Sequence, residues 1–106
     1  MATTFLKTHI DLGAIKVGVQ QVLHFPYNET LKMVTKMVSP CDCSTPMQEK
    51  DKSRIVIKYT PKKLPAHITA QGKTELQIVK TVTIDYINNL NENKSITLSF
   101  GGLVKQ

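Results

Sequence analysis

Two cysteines one residue apart, Cys41 and Cys43, follow Pro40 at the end of an apolar run, and they are the first residues of the chain that could do chemistry. Paired thiolates bind soft metals such as zinc or Cu(I), with His24 or His67 available to complete a site. A structural zinc site usually takes two well-spaced ligand pairs, whereas this chain has one close pair and scattered histidines. A disulfide between the two would close a very small, strained ring, labile and open to redox exchange. The simpler reading makes them small buried residues packed at a strand end. Cys41 and Cys43 therefore stand as candidate metal ligands, but no cofactor is expected.

A cysteine nucleophile needs a base within reach and a third group to orient that base. His9, His24 and His67 lie in separate segments, and none stands at the spacing of a known cysteine hydrolase. The chain also carries no glycine-rich phosphate loop, paired-carboxylate motif or serine elbow. The expectation is a protein that is not an enzyme.

Lys50, Lys52, Arg54, Lys58, Lys62 and Lys63 form the second candidate, a basic cluster suited to an acidic protein surface. It runs into the sequence Pro61-Lys-Lys-Leu-Pro65, an exposed type of element that often carries binding. Glu49 and Asp51 are interleaved with it, and outward lysines on strands also serve to solvate a face and block edge pairing. Phe5 and Leu6, in a terminal segment without periodicity, could dock on a neighbouring molecule.

Fourteen Lys and Arg against eight Asp and Glu give a net charge of +6, which favours acidic partners. Nucleic-acid binders add stacking platforms or a recognition helix to such charge. Here there are three Phe and three Tyr, and Phe25, Tyr59, Tyr86 and Phe100 fall on inward strand parities. No specific nucleic acid is expected as a partner. Nor is a membrane, because no stretch approaches the ~18 apolar residues of a span, and residues 1–13 lack the apolar run of a signal peptide. A chain that is not exported by that route keeps its two cysteines reduced.

A chain of 106 residues makes one domain, with an expected radius of gyration of roughly 13 Å. The pattern divides it into a flexible arm over 1–7, a folded domain over 8–104 and a tail at 105–106. A short strand fits Thr8 to Leu12, and Gly13 and Gly18 mark bends after it. Val19 to Tyr27 reads as a half-buried strand whose far end, at Pro26, lies on an edge or a bulge. Leu31 to Val38 is strand-like with both faces mixed, so its inward face stays open. Ser44 to Ser53 reads as a polar surface loop. Arg54 to Thr60 alternates cleanly, and Leu76 to Ile87 does so over the longest run, with threonines suited to a solvated face. Asn88 to Lys94 reads as a flexible hairpin loop, and Ser95 to Phe100 closes the sheet before Gly101-Gly102. No segment holds a 3.6-residue period. Short alternating strands with turns between them predict an all-β fold, an Ig-like antiparallel β-sandwich of about seven strands.

The order of motifs resembles a family of bacterial Ig-like domains of unknown function, related to the domains of abnormal spindle, hydin and sperm proteins. The residues that carry the resemblance are Ile10 to Ile15 with Gly18; Phe25, Tyr27 and Asn28; Cys41-Asp42-Cys43-Ser44; Ile55 to Pro61; Gly72 with Thr81 to Ile84; and Gly102 to Val104. Pro40 and Asp42 depart from the family's usual Ser and Gly. The match spans about 8–104.

The resemblance implies a structural or adhesion module. A basic Ig-like domain rich in Lys, Asn, Ile and Thr, without a leader, looks like the product of an AT-rich genome, and tailed phages of such hosts place small Ig-like domains on heads and tails. The expectation is a phage virion protein that decorates or cements the capsid, or an accessory of the neck or tail, in multiple copies against the major capsid or other virion proteins. Attachment would use edge strands, the basic cluster and the arms. The alternative is a cytosolic (cytoplasmic) bacterial adaptor that scaffolds a protein partner; a third reading is a metal or redox module at the Cys-x-Cys loop.

Overall fold

The longest alternating runs of the sequence become one hairpin. In the computed structural model, which describes residues 4–39 and 44–106, strand β6 (Glu75–Asn88) and strand β7 (Asn93–Lys105) pair antiparallel from Glu75 opposite Lys105 to Ile87 opposite Asn93. Fourteen residues at about 3.3 Å each make β6 roughly 46 Å long. The molecule is accordingly elongated, 53 × 23 × 20 Å, and its radius of gyration of 15.7 Å exceeds the ~13 Å of a compact chain of this length.

Around the hairpin stand β1 (His9–Lys16), β2 (Gln21–Pro26), β3 (Leu31–Val38), β4 (Ser44–Glu49) and β5 (Arg54–Tyr59). One sheet has the order β1-β7-β6-β3 and the other β2-β5-β4. The strands β2-β5-β4 and β7-β6-β3 divide as the B-E-D and G-F-C strands of Ig-like sandwiches do, while β1 joins the edge of β7 and not the side of β2. All pairs are antiparallel except β1 with β7, which is parallel.

The core lies between the sheets. Leu23 and Phe25 on β2 and Ile55, Ile57 and Tyr59 on β5 face Val82, Ile84 and Tyr86 on β6 and Leu98, Phe100 and Val104 on β7. Each large side chain so buried contributes about 1.5–3 kcal/mol. The four aromatic side chains expected inside, Phe25, Tyr59, Tyr86 and Phe100, are all buried. Tyr59 and Phe100 meet across the interlayer with ring centroids 5.0 Å apart and ring planes tilted by 59°.

The mixed pattern of Leu31 to Val38 is resolved by two bulges. Register shifts between Leu31 and Met33 and between Val34 and Lys36 each place two steps of β3 against one of β6. Each extra residue reverses the parity. Leu31, Val34 and Met37, three residues apart, therefore turn to the core. A similar step between Asp11 and Ala14 carries β1 past Gly13, where φ is +67°, and extends the strand beyond the expected end at Leu12.

The loop after β5 contains one helical turn, Ala66–Thr69. Three expectations are corrected. Ser44 to Glu49 is a strand, β4, because its polar side chains line an edge that needs only backbone pairing with β5, and only Lys50–Lys52 behind it forms a 3-10 turn. β7 runs through Gly101-Gly102 to Lys105, since β1 and β6 pair with it on both sides there. The N-terminal segment is tied down from Thr4: Asn28 N donates to Thr4 O at 2.9 Å, Leu6 N donates to Pro26 O at 3.0 Å, and Phe5 bridges to Tyr27.

Candidate functional site

The strand β5 separates the basic residues that the sequence groups together. Lys50, Lys52 and Arg54 lie at one end of the sandwich, beside the β2–β3 turn, as the bond from Tyr27 N to Ser53 O at 2.9 Å shows. Lys62 and Lys63 follow β5 at the other end, where Gly18 N donates to Pro61 O at 2.9 Å. The six residues of β5 hold these groups roughly 20 Å apart. Lys58 stands between them, exposed on the outer face of the smaller sheet.

At the first end part of the charge is matched. Arg54 Nε donates to Glu49 Oε1 at 3.1 Å, its terminal nitrogen Nη2 meets the same oxygen at 3.1 Å, and Lys52 Nζ lies 3.8 Å from Glu49 Oε2. Interleaving Glu49 with the lysines thus offsets part of the charge of this half of the cluster. His24 Nδ1 stands 3.4 Å from Arg54 Nη1 on the same outer face.

The second end is different. A groove of about 250 Å³ opens between the loop after β5 and the lower half of the hairpin. Tyr59, Leu76 and Ile78 supply apolar lining, Lys62, Lys63 and Lys80 supply the charge, and among the described residues no carboxylate lines it. Burial alone pushes the Tyr59 hydroxyl above its ordinary pKa. The volume falls short of the ~300–1,000 Å³ of a typical small-molecule pocket. Lys80, on the same parity of its strand as the core-facing Val82, Ile84 and Tyr86, lies half-buried at this mouth. The sequence signal was available: a lysine at an inward parity between Ile78 and Val82 must find water somewhere.

Of the two arm residues, Phe5 does not reach outward. It is 3% exposed, its ring meets Tyr27 and Tyr86 edge-on at 5.9 and 6.0 Å, and it belongs to the protein's own core. This corrects its assignment as a protein-binding residue: an aromatic ring gains more by closing the end of the sandwich than by facing water. Leu6 is 64% exposed and remains available.

Cys41 and Cys43 lie outside the described residues. Of the histidines paired with them in the sequence, His24 is on β2 and His67 in the helical turn after β5, and among the described residues no three His, Cys, Asp or Glu side chains gather as a metal site. A serine and a histidine do meet, a contact that sequence reading did not find: His9 Nδ1 and Ser99 Oγ are 2.7 Å apart where β1 pairs with β7. Asp11, two residues along, accepts a bond from Gly13 N at 2.9 Å. Its carboxylate is thereby committed to the bulge of β1. The pair is exposed on a sheet face and serves the strand register.

No protein-family model, no curated protein and no solved structure matches the chain.

Proposed function

We propose that the protein is a non-enzymatic adhesion module that docks on an acidic protein surface, acting in many copies on a particle such as a phage capsid, neck or tail. The observation that carries the docking half of this reading is the groove at one end of the sandwich, where Lys62, Lys63 and Lys80 stand around the apolar lining of Tyr59, Leu76 and Ile78. Opposite charge steers the encounter, and the apolar lining gives the contact its energy. The particle setting rests on the resemblance to Ig-like domains and on the basic composition. Repetition on a symmetric shell suits a small contact, because tethered sites raise the effective concentration and let weak contacts act together.

The test is to purify the largest particles of the source culture and quantify this chain in them against the major shell protein by mass spectrometry. A fixed, high ratio that survives a salt wash supports the reading. A chain found wholly in the soluble fraction overturns the particle setting and favours the cytosolic adaptor.

A further inference from the structure

The strands β1 and β7 pair in parallel, and the segments that lead into the one and out of the other lie at opposite ends of the molecule. Thr4 Oγ1 lies 2.8 Å from Thr30 Oγ1, and Asn89 N donates to Thr30 O at 2.8 Å, so Thr4 stands at the end that carries the β6–β7 turn. Gln106 N donates to Thr74 O at 2.9 Å, at the far end of the same hairpin. Between these ends β1 and β7 share six register pairs, from His9 opposite Ser99 to Lys16 opposite Lys105. Bonds from Ser99 N to Thr8 O and from Val17 N to Lys105 O, each 2.9 Å, continue the ladder at both ends.

Tension between Thr4 and Gln106 pulls β1 toward the β6–β7 turn and β7 the opposite way. The force runs along the strands, so it loads the evenly spaced bonds of the parallel ladder together and does not open them one at a time. Side chains add to the resistance. Ile15 and its register partner Val104 are buried, and Ile10 and Leu12 pack against the core, so β1 cannot slide without dragging them from it. The bulge then blocks slippage. A slip of one residue turns every inward side chain of β1 outward. A slip of two under this tension carries Gly13 from Gly102 to Phe100, and there a fully buried ring occupies the place that Gly102 leaves for the Gly13 carbonyl.

We infer that a further function of the sandwich is to carry tension along its long axis, with the β1–β7 ladder as the element that resists. This function does not depend on what the lysine groove binds. Resistance to force is a matter of the rate of unfolding, so it is set by the direction of load and not by equilibrium stability alone.

The test is single-molecule stretching of the full chain in two geometries. An azide-bearing residue replaces Val19, which is 50% exposed in the turn after β1, and the azide leaves Cys41 and Cys43 untouched as attachment chemistry. In the first geometry, handles at the two ends of this chain load the ladder along its strands. In the second, handles at position 19 and at the C-terminal end peel the same ladder from its last pair, Lys16 opposite Lys105. Equilibrium stability is the same in both, because the molecule is the same. The expected unfolding force at one pulling speed is about threefold or more higher end to end than in the peeling geometry. The end-to-end event lengthens the chain by roughly 300 Å as the whole domain extends. Gly102→Ala, which crowds the Gly13 carbonyl, is expected to lower the end-to-end force. Equal forces in the two geometries overturn the inference, and so does an end-to-end force that Gly102→Ala leaves unchanged. Either failure leaves the docking reading standing, since a mechanically weak domain still presents its groove.

Discussion

Gly102 on β7 lies directly against the carbonyl oxygen of Gly13 on β1: a Cβ placed on Gly102 would stand 2.7 Å from that oxygen and 3.2 Å from the Cβ of Leu12. The bulge of β1 and the glycine of β7 are one device, in which the positive φ of Gly13 turns its carbonyl inward and the missing side chain of Gly102 receives it. Gly102→Ala must push two backbones apart. It is expected to cost about 1–3 kcal/mol, the usual range for overpacking, which for a domain of this size lowers the melting temperature by roughly 4–8 °C per kcal/mol. A melting temperature equal to that of the parent would show that the strands can separate freely there.

Phe5 and Leu6 are neighbours with opposite fates, buried and exposed. Phe5→Ala removes a ring that closes the core over Tyr27 and Tyr86, with an expected loss of about 3–5 kcal/mol. Leu6→Ala is expected to stay within about 0.5 kcal/mol of the parent. Urea unfolding of both variants checks the pair; a near-neutral Phe5→Ala would mean that the first residues are an arm after all.

Tyr59 governs the alkaline limit. Burial raises the pKa of its hydroxyl above its ordinary value of about 10, so the folded state holds the proton more tightly than the unfolded one. The contribution to stability is therefore complete below pH about 10 and is lost as pH rises through the folded pKa. Tyr59→Phe is expected to unfold with a shallower decline of stability above pH about 10. Equal slopes in parent and variant would contradict a buried, neutral Tyr59.

The Asn88 side chain bonds across the β6–β7 turn, beside backbone bonds from Asn88 N to Glu92 O and from Asn91 N to Asn88 O. Asn88 Oδ1 accepts from Leu90 N at 3.0 Å and from Glu92 N at 2.9 Å, and its Nδ2 donates to Glu92 Oε1 at 3.0 Å. Asn88→Ala leaves those amides to water, at a cost of about 0.5–1.5 kcal/mol for each bond not replaced. Hydrogen exchange at Leu90 and Glu92 is expected to accelerate at least fivefold. Unaltered exchange would locate the turn's order in its backbone alone.

The alternating runs of β5 and β6 were legible because each strand has one apolar face, and a two-residue period needs no partner to declare itself. β4 was not, for the opposite reason: an edge strand of Ser, Thr, Pro and Gln takes its stability from the backbone of β5, which the residue types do not encode. The inward face of β3 was hidden by its two bulges, whose positions depend on pairing with β6.

The candidate site divides along the same line. The residue types alone determined an all-β chain with a basic surplus and placed Tyr59, Tyr86 and Phe100 inside. They could not determine that six residues of β5 would carry Lys62 and Lys63 away from Lys50 and Lys52, or that Glu49 would pair with both Lys52 and Arg54. Nor could they bring Lys80 from the far strand to complete the groove. Sequence proximity along an extended strand is spatial separation at about 3.3 Å per residue, whereas proximity across the sandwich is set by register and by where each strand ends. Only the folded chain settles those two quantities.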